Sequence, residues 1–498
     1  MTILWKQIGS DLVGEATGDG FGFTGISLSS NGSILAVGAS TNDGNGTDSG
    51  HVRIFENINN SWTQVGSDID GENAYDQSGV SVDLSNDGSI VAIGAWHNDD
   101  TGSDLPGYAR ANYPNGQVRI YQNENGSWTQ VGSDINGDLS DTWSGRSVSL
   151  SSDGSIVGIG GQYSELNRIY QNINNNWTRV GEEIIGGRGG SSGATSLSSD
   201  GSTFAIADDN GGDIFGNGKV TIFKNVAGLW TQIGSSIEAK KEEESLLGHS
   251  IKLSEDGSTI AIGIPYHQVD NTALAGIVRV YKIIEGTWRQ IGTDITGEYD
   301  PDEFGMAVSL SNDGSIVAIG APSDRQNDVY GGSVRIYQNI NNSWVQIGDD
   351  IDGDSTITHT GYCVDLSSNG SIVAIGSRAN GVRVYSATKI YSGNFRDYTF
   401  YNKGNGVYQI KTASGYDDIT GYASLEFTEE ETTSSFRDVS TIADIQAVFD
   451  QVTGLNTDSG RIFRLYNAAF KRLPDSEGLE YWINQFSSGA NSIRVVAS

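Results

Sequence analysis

The feature that most constrains the fold of this chain is a short string that recurs seven times. Residues 309–322 read SLSNDGSIVAIGAP, and similar strings begin at Ser27, Asp83, Ser149, Ser196, Lys252 and Asp365. The glycine of the central turn falls at positions 32, 88, 154, 201, 257, 314 and 370, so the copies are 47 to 66 residues apart. Periods of this size are typical of folds in which each repeat forms one structural unit.

Each repeat contains four short runs with the composition of β-strands, separated by turn residues. In the second copy these are VSVDLS (80–85), SIVAIGA (89–95), QVRIYQ (117–122) and SWTQVG (127–132), which we name strands A, B, C and D. An Asn-Asp-Gly turn joins A to B, which is a hairpin signal, and a second tight turn joins C to D. Four antiparallel strands repeated seven times indicate a β-propeller with seven blades.

The two ends of the repeat array predict that the ring closes. The chain starts with a D-type strand, LWKQIG (4–9), and the last repeat ends at GVRVYS (381–386) without a D strand of its own. The N-terminal strand 4–9 is therefore expected to complete blade seven, so that no sheet edge stays bare. We predict a mainly β protein whose residues 1–386 form a closed seven-bladed propeller with four-stranded antiparallel blades.

Beyond residue 386 the periodicity stops, and two further regions are predicted. Residues 387–439 form a short β-rich segment with glycine turns. Residues 440–498 form a small α-helical domain, because Ile442, Ile445 and Val448 share one helical face and GRIFRLYNAAFKRLPDSEGLEYWINQF (460–486) has the pattern of two helices broken at a proline.

The composition limits the classes of partner that the chain can bind. The formal net charge is −32, from 62 acidic and 30 basic residues, which argues against nucleic acid as a partner. The N-terminus has no recognisable signal peptide, and no apolar run is long enough to span a membrane. The single cysteine, Cys363, lies in an apolar strand pattern, so we expect a buried thiol and no disulfide.

The recurring Asp-Gly of the A–B turn is a candidate metal ligand, but a turn role fits it better. Calcium takes six to eight oxygen ligands, and one aspartate per turn is too few. Blades one and seven have Asn31 and Asn369 instead, which keeps the turn preference and loses the charge. A second acid precedes strand A at Asp19, Asp76 and Asp302, where we also expect a turn-locking role. We therefore predict that the protein binds no cofactor, with calcium bound in the variable loops as the alternative.

Ligand binding is expected on the connections between strands B and C and between strands D and A, because these vary while the A–B and C–D turns are uniform. Variable loops on a rigid scaffold are where binding sites concentrate. The alternative is that they are solvated loops without a fixed partner. The candidate binding residues are Asp43, Asp48, Trp96, Asp99, Asp100, Asp104, Tyr108, Tyr113, Trp143, Asp208, Asp209, Asp213 and Tyr266.

Signs of catalysis are few. The histidines at 51, 97, 249, 267 and 359 show no ligand spacing with one another, and neither cysteine pairs nor a GxSxG motif occur. We therefore predict no catalytic residue and no metal site. A propeller can assemble a site from distant blades, so an enzyme stays the alternative.

The repeats resemble the FG-GAP repeats of integrin α-chain propellers and of many bacterial surface proteins. The matching residues are Phe304-Gly305 with Gly320-Ala321-Pro322, and Phe21-Gly22 with Gly38-Ala39-Ser40. This resemblance covers residues 1–386 and implies a binding or adhesion role.

The string LYNAAFKRLPDSEGLEYW (465–482) resembles the bacterial domain of unknown function 4214, which is related in fold to phycobilisome-linker domains. That family occurs on secreted and cell-surface proteins, often cyanobacterial, and its helical bundle usually continues further, so 440–498 resembles a truncated copy. The resemblance implies an extracellular or cell-surface location, and self-association through this domain is a further expectation.

Together these observations predict a secreted or surface-attached adhesion propeller that binds a protein or glycan ligand through its variable, acidic loop face. Two alternatives stay open. One is an extracellular polysaccharide hydrolase or lyase, which would need clustered carboxylates, or a histidine with a carboxylate, at the central mouth. The other is a structural component of a surface layer.

Overall fold

The structure of the protein is a computed structural model. It describes residues 2–98, 115–137, 143–161, 166–185, 194–208, 218–239, 246–267, 275–299, 301–326, 329–353, 359–378, 381–393, 398–404, 407–413, 415–419 and 424–428. The predicted seven blades with four antiparallel strands are confirmed, because the repeats fold into seven separate sheets with the strand order A-B-C-D.

Strands A and B form the inner half of each blade. Every A strand contacts the A strands of both neighbouring blades, and that of blade seven contacts that of blade one, so the A strands surround the axis. The A strands are Phe21–Leu28, Ser78–Leu84, Ser144–Leu150, Thr195–Leu197, Ser250–Leu253, Ala307–Leu310 and Thr360–Leu366. The B strands are Ile34–Ala39, Ile90–Ala95, Ile156–Gly161, Thr203–Asp208, Thr259–Ile264, Ile316–Ala321 and Ile372–Ser377.

Strands C and D form the outer half. The C strands are His51–Ile58, Gln117–Glu124, Leu166–Asn172, Lys219–Val226, Ile277–Ile284, Ser333–Ile340 and Gly381–Tyr391. The D strands of blades one to six are Ser61–Gln64, Ser127–Gln130, Trp177–Arg179, Leu229–Gln232, Thr287–Gln290 and Ser343–Gln346. In blade seven the strand Thr2–Gln7 lies beside Gly381–Tyr391, and the Ile8 N–H donates to the Val384 carbonyl at 2.7 Å.

A fifth, two-residue strand that the sequence did not predict completes each blade. In blade two strand D pairs with residues 121–124 of strand C, and Ile135–Asn136 pairs with the first two residues of that strand. The extra strand thus covers the part of the C edge that the short D strand leaves unpaired. The other members are Leu12–Val13, Ile69–Asp70, Ile184–Ile185, Ile237–Glu238, Ile295–Thr296 and Ile351–Asp352.

The hydrophobic core lies between neighbouring blades. Val52 and Ile54 on strand C of blade one, for example, pack in one cluster with Val82, Leu84 and Val91 of blade two. Because alternate side chains of a strand point to opposite faces, each blade supplies apolar residues to the interfaces on both of its sides.

Strand pairing stays within each blade, so the ring is not closed as one hydrogen-bonded sheet. Individual backbone hydrogen bonds connect the blades instead. At each A–B turn an N–H donates to the matching carbonyl of the next blade, and the Ser368 N–H of blade seven donates to Ser30 of blade one at 2.8 Å. The residues of this turn circle, in order, are Ser30, Asn86, Ser152, Ser199, Glu255, Asn312 and Ser368.

The recurring tryptophan of strand D makes a further connection between blades. Trp128 Nε1 donates to the Val65 carbonyl of blade one at 2.9 Å, and Trp344 Nε1 donates to the Ile291 carbonyl of blade five at 2.9 Å. Trp62, Trp177, Trp230 and Trp288 donate in the same way. The indole therefore packs at the interface between two blades, and a carbonyl of the preceding blade accepts its N–H group.

The chain divides into two compact units. One is Gln7–Tyr385, and the other consists of Met1–Lys6 together with Ser386–Ser498. The second unit contains a three-stranded antiparallel sheet of Thr399–Gly404, Val407–Thr412 and Gly415–Asp418. Its strand Ser424–Phe427 pairs in parallel with residues 388–391.

The predicted helical domain, residues 440–498, lies outside the described residues. The part of the chain that the structure describes contains no helix. Within that part, no helix with the length and apolar character of a membrane span was found.

Candidate ligand-binding site

The acidic residue of the A–B turn holds its own turn together. In blade two, Ser85 Oγ and the Ser89 N–H both donate to Asp87 Oδ1, at 2.7 and 2.9 Å. Burial acts to raise the pKa of Asp87, but these hydrogen bonds outweigh it and hold the pKa below its ordinary value. In blade one Asn31 Oδ1 accepts the same two bonds, from Ser29 Oγ and the Ser33 N–H. The predicted turn role of this position is therefore confirmed.

The aspartate that precedes strand A also locks a turn. Asp76 is buried, and its Oδ2 accepts the Asn73 N–H at 2.9 Å and Asn98 Nδ2 at 3.0 Å. Asp19 accepts the Ala16 N–H and Asn42 Nδ2 in the same way. The predicted turn-locking role is confirmed in these blades.

Blade six departs from this arrangement, because Asp324 stands where blades one and two have asparagine. Asp302 Oδ2 accepts the N–H groups of Glu298 and Tyr299, at 2.7 and 2.8 Å. Burial, together with the nearby Asp324 carboxylate, raises the pKa of Asp302 to about 6. Arg335, which is 1% exposed, lies among these acids and bonds Asp324 and Asp350, each at 2.8 Å.

Polar side chains at one recurring position of strand A connect neighbouring blades. Asp83 of blade two and Asp365 of blade seven accept backbone N–H groups of Leu150 and Leu28 in the following blades. Blade five places Lys252 at the same position, with its Nζ 3.9 Å from Asp365 Oδ1. The Asp365 and Asp83 carboxylates raise the pKa of Lys252, although burial opposes them. Lys252 therefore carries its charge beside Asp365.

At the B–C and D–A end of the ring, aromatic and charged side chains form two groups, which together we call the mouth. The first group comes from blades two and three. The rings of Trp96 and His97 stack with centroids 4.5 Å apart, and Trp143 meets Trp96 edge-on at 5.2 Å. The guanidinium of Arg146 lies 4.9 Å above the Trp96 ring, and Trp96 Nε1 donates to Gln77 Oε1 at 2.6 Å.

The second group comes from blades five, six, seven and one. Tyr362 packs against Phe23, with ring centroids 4.8 Å apart, and against His359 at 6.2 Å. Arg378 lies 5.9 Å above the Phe23 ring. Burial raises the pKa of Tyr266 to about 12, and the Glu303 and Tyr362 side chains add to that shift. The mouth residues are Phe23, Gln77, Trp96, His97, Trp143, Arg146, Tyr266, Glu303, His359, Tyr362 and Arg378.

Four mouth residues share an unusual backbone conformation. Gln77, Trp143, Glu303 and His359 each stand two residues before the recurring glycine of strand A, and their φ angles are +54°, +67°, +54° and +41°. Bulky residues rarely adopt this left-handed region, and such strained positions cluster at functional sites. Leu246 and Gly20 also have positive φ two residues before Gly248 and Gly22, so this conformation belongs to the repeated turn before strand A.

The pKa values at the mouth do not favour acid–base chemistry by its tyrosines. Burial raises the pKa of Tyr362, as it does that of Tyr266, and neither phenol is poised to lose a proton at neutral pH. Cys363, for which the sequence predicts a buried thiol, is half-buried; desolvation raises its pKa to about 12, and its Sγ donates to the Phe23 carbonyl oxygen at 3.3 Å.

Six of the thirteen predicted binding residues lie in the described chain. Trp96 and Trp143 meet in the first mouth group, and Tyr266 belongs to the second. Asp43 and Asp48 share one loop, in which Asp43 Oδ1 accepts the Asp48 N–H at 2.9 Å. Asp208 Oδ2 lies 3.9 Å from Lys219 Nζ, away from these groups. The others, which lie outside the described residues, are Asp99, Asp100, Asp104, Tyr108, Tyr113, Asp209 and Asp213.

Sequence reasoning missed most of the mouth. Phe23, Arg146, Glu303 and Tyr362 belong to strand A or adjoin its glycine, where the pattern indicated only framework. Their shared position next to that glycine was the available signal. The sequence also missed a separate cluster of Glu15, His51 and Asp68 in blade one.

Comparison with known proteins supports the propeller fold. No protein-family model matches the chain, and no curated protein matches it in sequence. Among solved structures, hydrazine synthase of Kuenenia stuttgartiensis is similar, with a TM-score of 0.50 and 14% sequence identity over 76% of this chain and 98% of that one. At this identity the likeness shows the fold alone. The chain therefore falls in the class of seven-bladed β-propellers.

Proposed function

We propose that this propeller is a binding module, without catalytic activity, that recognises its ligand through the mouth. The observation that carries the proposal is the pair of aromatic and charged groups at the B–C and D–A end of the ring, one from blades two and three and the other from blades five, six, seven and one. Aromatic surfaces with a few polar groups are the usual lining of a ligand site.

The chemistry of the mouth fits a glycan best. Trp143 and Tyr362 are the aromatic rings proposed to stack on a sugar, with Trp96 held against Trp143 and already covered by His97 and Arg146, while Arg146, Arg378 and Glu303 can bond hydroxyl or carboxylate groups. A protein ligand, which would use the same aromatic anchors, is the second possibility. A polysaccharide hydrolase or lyase stays the alternative.

We also propose that the blades are repeats of the FG-GAP type. The supporting observation is the contact between two motif glycines, which the described residues show at five of the seven interfaces. A Cβ atom on Gly94 of blade two would lie 2.0 Å from the Gly145 carbonyl oxygen of blade three, so a side chain cannot fit there. With the resemblance of residues 465–482 to a surface-protein domain, this supports a secreted or cell-surface adhesion protein.

Calorimetric titration with a panel of surface polysaccharides would test the binding proposal. We expect the intact protein to bind at least one of them, and we expect W96A/W143A to lose at least tenfold in affinity. L229S is the matched control, because Leu229 is 66% exposed in a C–D turn at the opposite end of the ring. Equal affinity in W96A/W143A would overturn the mouth as the binding surface.

Further assays on the same protein samples distinguish the alternative functions. Release of reducing ends or of unsaturated sugars on incubation would show an enzyme. Concentration-dependent assembly without glycan binding would show a structural surface component. Antibody detection of the protein in the medium or on intact cells would test the proposed location, and detection in the cell interior alone would contradict it.

A further inference from the structure

A histidine and two carboxylates from three segments meet where blade seven joins blade one. Glu15 follows the strand Leu12–Val13 of blade seven, His51 begins strand C of blade one, and Asp68 lies in the turn after strand D. One ligand atom from each residue lies within 4.8 Å of the other two. Because ligand atoms bond zinc at about 2 Å, three that share one ion lie at most about 4 Å apart, and small side-chain shifts would reach this.

His51 has the properties of a metal ligand. Its side chain is 1% exposed, its Nε2 has no hydrogen-bond partner among the residues that the structure describes, and its Nδ1 lies 3.5 Å from Asp68 Oδ2. A buried ring nitrogen without a partner is costly unless something binds it.

Neighbouring side chains orient the two carboxylates. Gln64 Nε2 donates to Asp68 Oδ1 at 2.6 Å, which leaves the Oδ2 atom towards His51. Asn42 Nδ2 contacts Glu15 Oε2 at 3.5 Å. Outer hydrogen bonds of this kind fix the direction of metal ligands.

Blade two provides an internal comparison. Its Glu72 and Asp134 match Glu15 and Asp68 in the repeat, but Gln117 stands at the position of His51. Gln117 Nε2 donates directly to Glu72 Oε2 at 3.1 Å. The Glu72 carboxylate of blade two thus accepts a hydrogen bond from Gln117. Blade one has the His51 imidazole at the position of that donor.

We propose that Glu15, His51 and Asp68 form a binding site for one divalent transition-metal ion, of which zinc is the best fit. One imidazole with two carboxylates suits zinc and its first-row neighbours better than calcium, which prefers oxygen ligands alone. Glu15 is exposed, so the fourth position is open to water. The site is separate from the mouth, and its ion would tie the connection after blade seven to strands C and D of blade one.

Calorimetric titration of the full-length, chelator-stripped protein with zinc tests this proposal. We expect one ion per chain and a rise in melting temperature that chelator reverses, because a ligand bound only by the folded state stabilises it. H51Q, which inserts the blade-two residue, should lose at least tenfold in zinc affinity while keeping the circular dichroism spectrum. H267Q is the matched histidine control and should bind zinc as the unmodified protein does.

Two further variants keep the test decisive if H51Q folds poorly. E15Q changes an exposed residue and should weaken zinc binding without affecting the metal-free melting temperature. Q117H completes the same set of ligand types in blade two, and we expect it to raise the stoichiometry from one to two. Absence of zinc binding, equal zinc affinity in H51Q and E15Q, or calcium binding as tight as zinc binding would each overturn the proposal.

Discussion

The two ends of the ring use the same amino acid, aspartate, to opposite effect. At the A–B end, turn aspartates such as Asp313 accept hydrogen bonds from their own turn, and these bonds outweigh burial and lower the pKa. At the D–A end, Asp302 is buried near a second carboxylate, and its pKa is raised to about 6. The first arrangement stabilises the ionised side chain, and the second disfavours it.

This difference distinguishes the end of the ring that serves as framework from the end that carries the candidate site. The A–B end repeats one hydrogen-bonded turn in every blade and links the blades through the turn circle. The D–A end carries a buried charge cluster and the mouth. Buried clusters of ionisable groups concentrate at functional sites, so the second end is the one to test for binding.

The largest effect should follow from removing the cation of the blade-six cluster. R335Q leaves the buried Asp302 and Asp324 carboxylates without their partner, and we expect a loss of about 3–5 kcal/mol in the free energy of unfolding. R383Q is the matched control at the same repeat position, because Arg383 and Asp11 are 22% and 44% exposed. It should cost less than about 1 kcal/mol. Similar urea midpoints for the two variants would contradict the difference in burial.

The second prediction concerns pH. The unfolded chain has an Asp302 pKa near 3.8, and the folded chain holds the proton up to about pH 6. Asp302 therefore contributes stability at low pH that is lost as the pH rises from about 4 to 6, by at most about 3 kcal/mol at roughly 1.4 kcal/mol per pKa unit. Urea unfolding between pH 4 and 7 should show this decline in the unmodified protein and not in D302N.

The contribution of Asp313 to stability should depend on pH in the opposite direction, which provides a second test. Its lowered pKa means that its contribution is present above about pH 4 and is lost as the pH falls through the folded-state value. D313N should flatten the acid side of the profile only. Profiles of D302N and the unmodified protein that run parallel between pH 4 and 6 would show that the pKa of Asp302 is ordinary.

The next largest effect should follow from filling the close contact between blades two and three beside the variable connections. G94A places a methyl group 2.0 Å from the Gly145 carbonyl oxygen, which forces the blades apart, and we expect a loss of about 2 kcal/mol. G381A is the control, because the nearest atom to a Cβ there is 3.5 Å away. Thermal unfolding of both variants checks this, and a stable G94A would mean that the interface can yield.

The smallest effect should appear at the A–B turns. D313A removes the acceptor for Ser311 Oγ and the Ser315 N–H and should cost about 1 kcal/mol, as loss of a local cap does. D313N should cost less than about 0.5 kcal/mol, because Asn31 and Asn369 make the same bonds in blades one and seven. Calcium or EDTA should not change this difference, and a calcium-dependent difference would show that Asp313 is a metal ligand.

Much of the framework could be predicted because its signals are contiguous in sequence. The serine, aspartate and glycine of each A–B turn are within three residues, so the hairpin and the turn role of Asp87 follow from local hydrogen bonding. The two-residue fifth strand could not be predicted, since two residues carry no periodic signal. Its presence depends on how much of strand C the D strand covers.

The candidate site was less predictable. Trp96 and Trp143 were chosen for their loops, but nothing local shows that they meet each other and Arg146 from the next blade. The cluster of Glu15, His51 and Asp68 was missed because a search for spaced histidines ignores carboxylates on other segments.

By itself, the sequence determined the number of blades, the four main strands in each and the turns that join them, because these depend on residues close together in the chain. Only the tertiary structure decided which side chains from different blades share the mouth, which aspartate keeps its proton and where a histidine meets two carboxylates. The reason is geometric: burial and distance between blades are set by how the interfaces pack around the axis, and no single repeat encodes that packing.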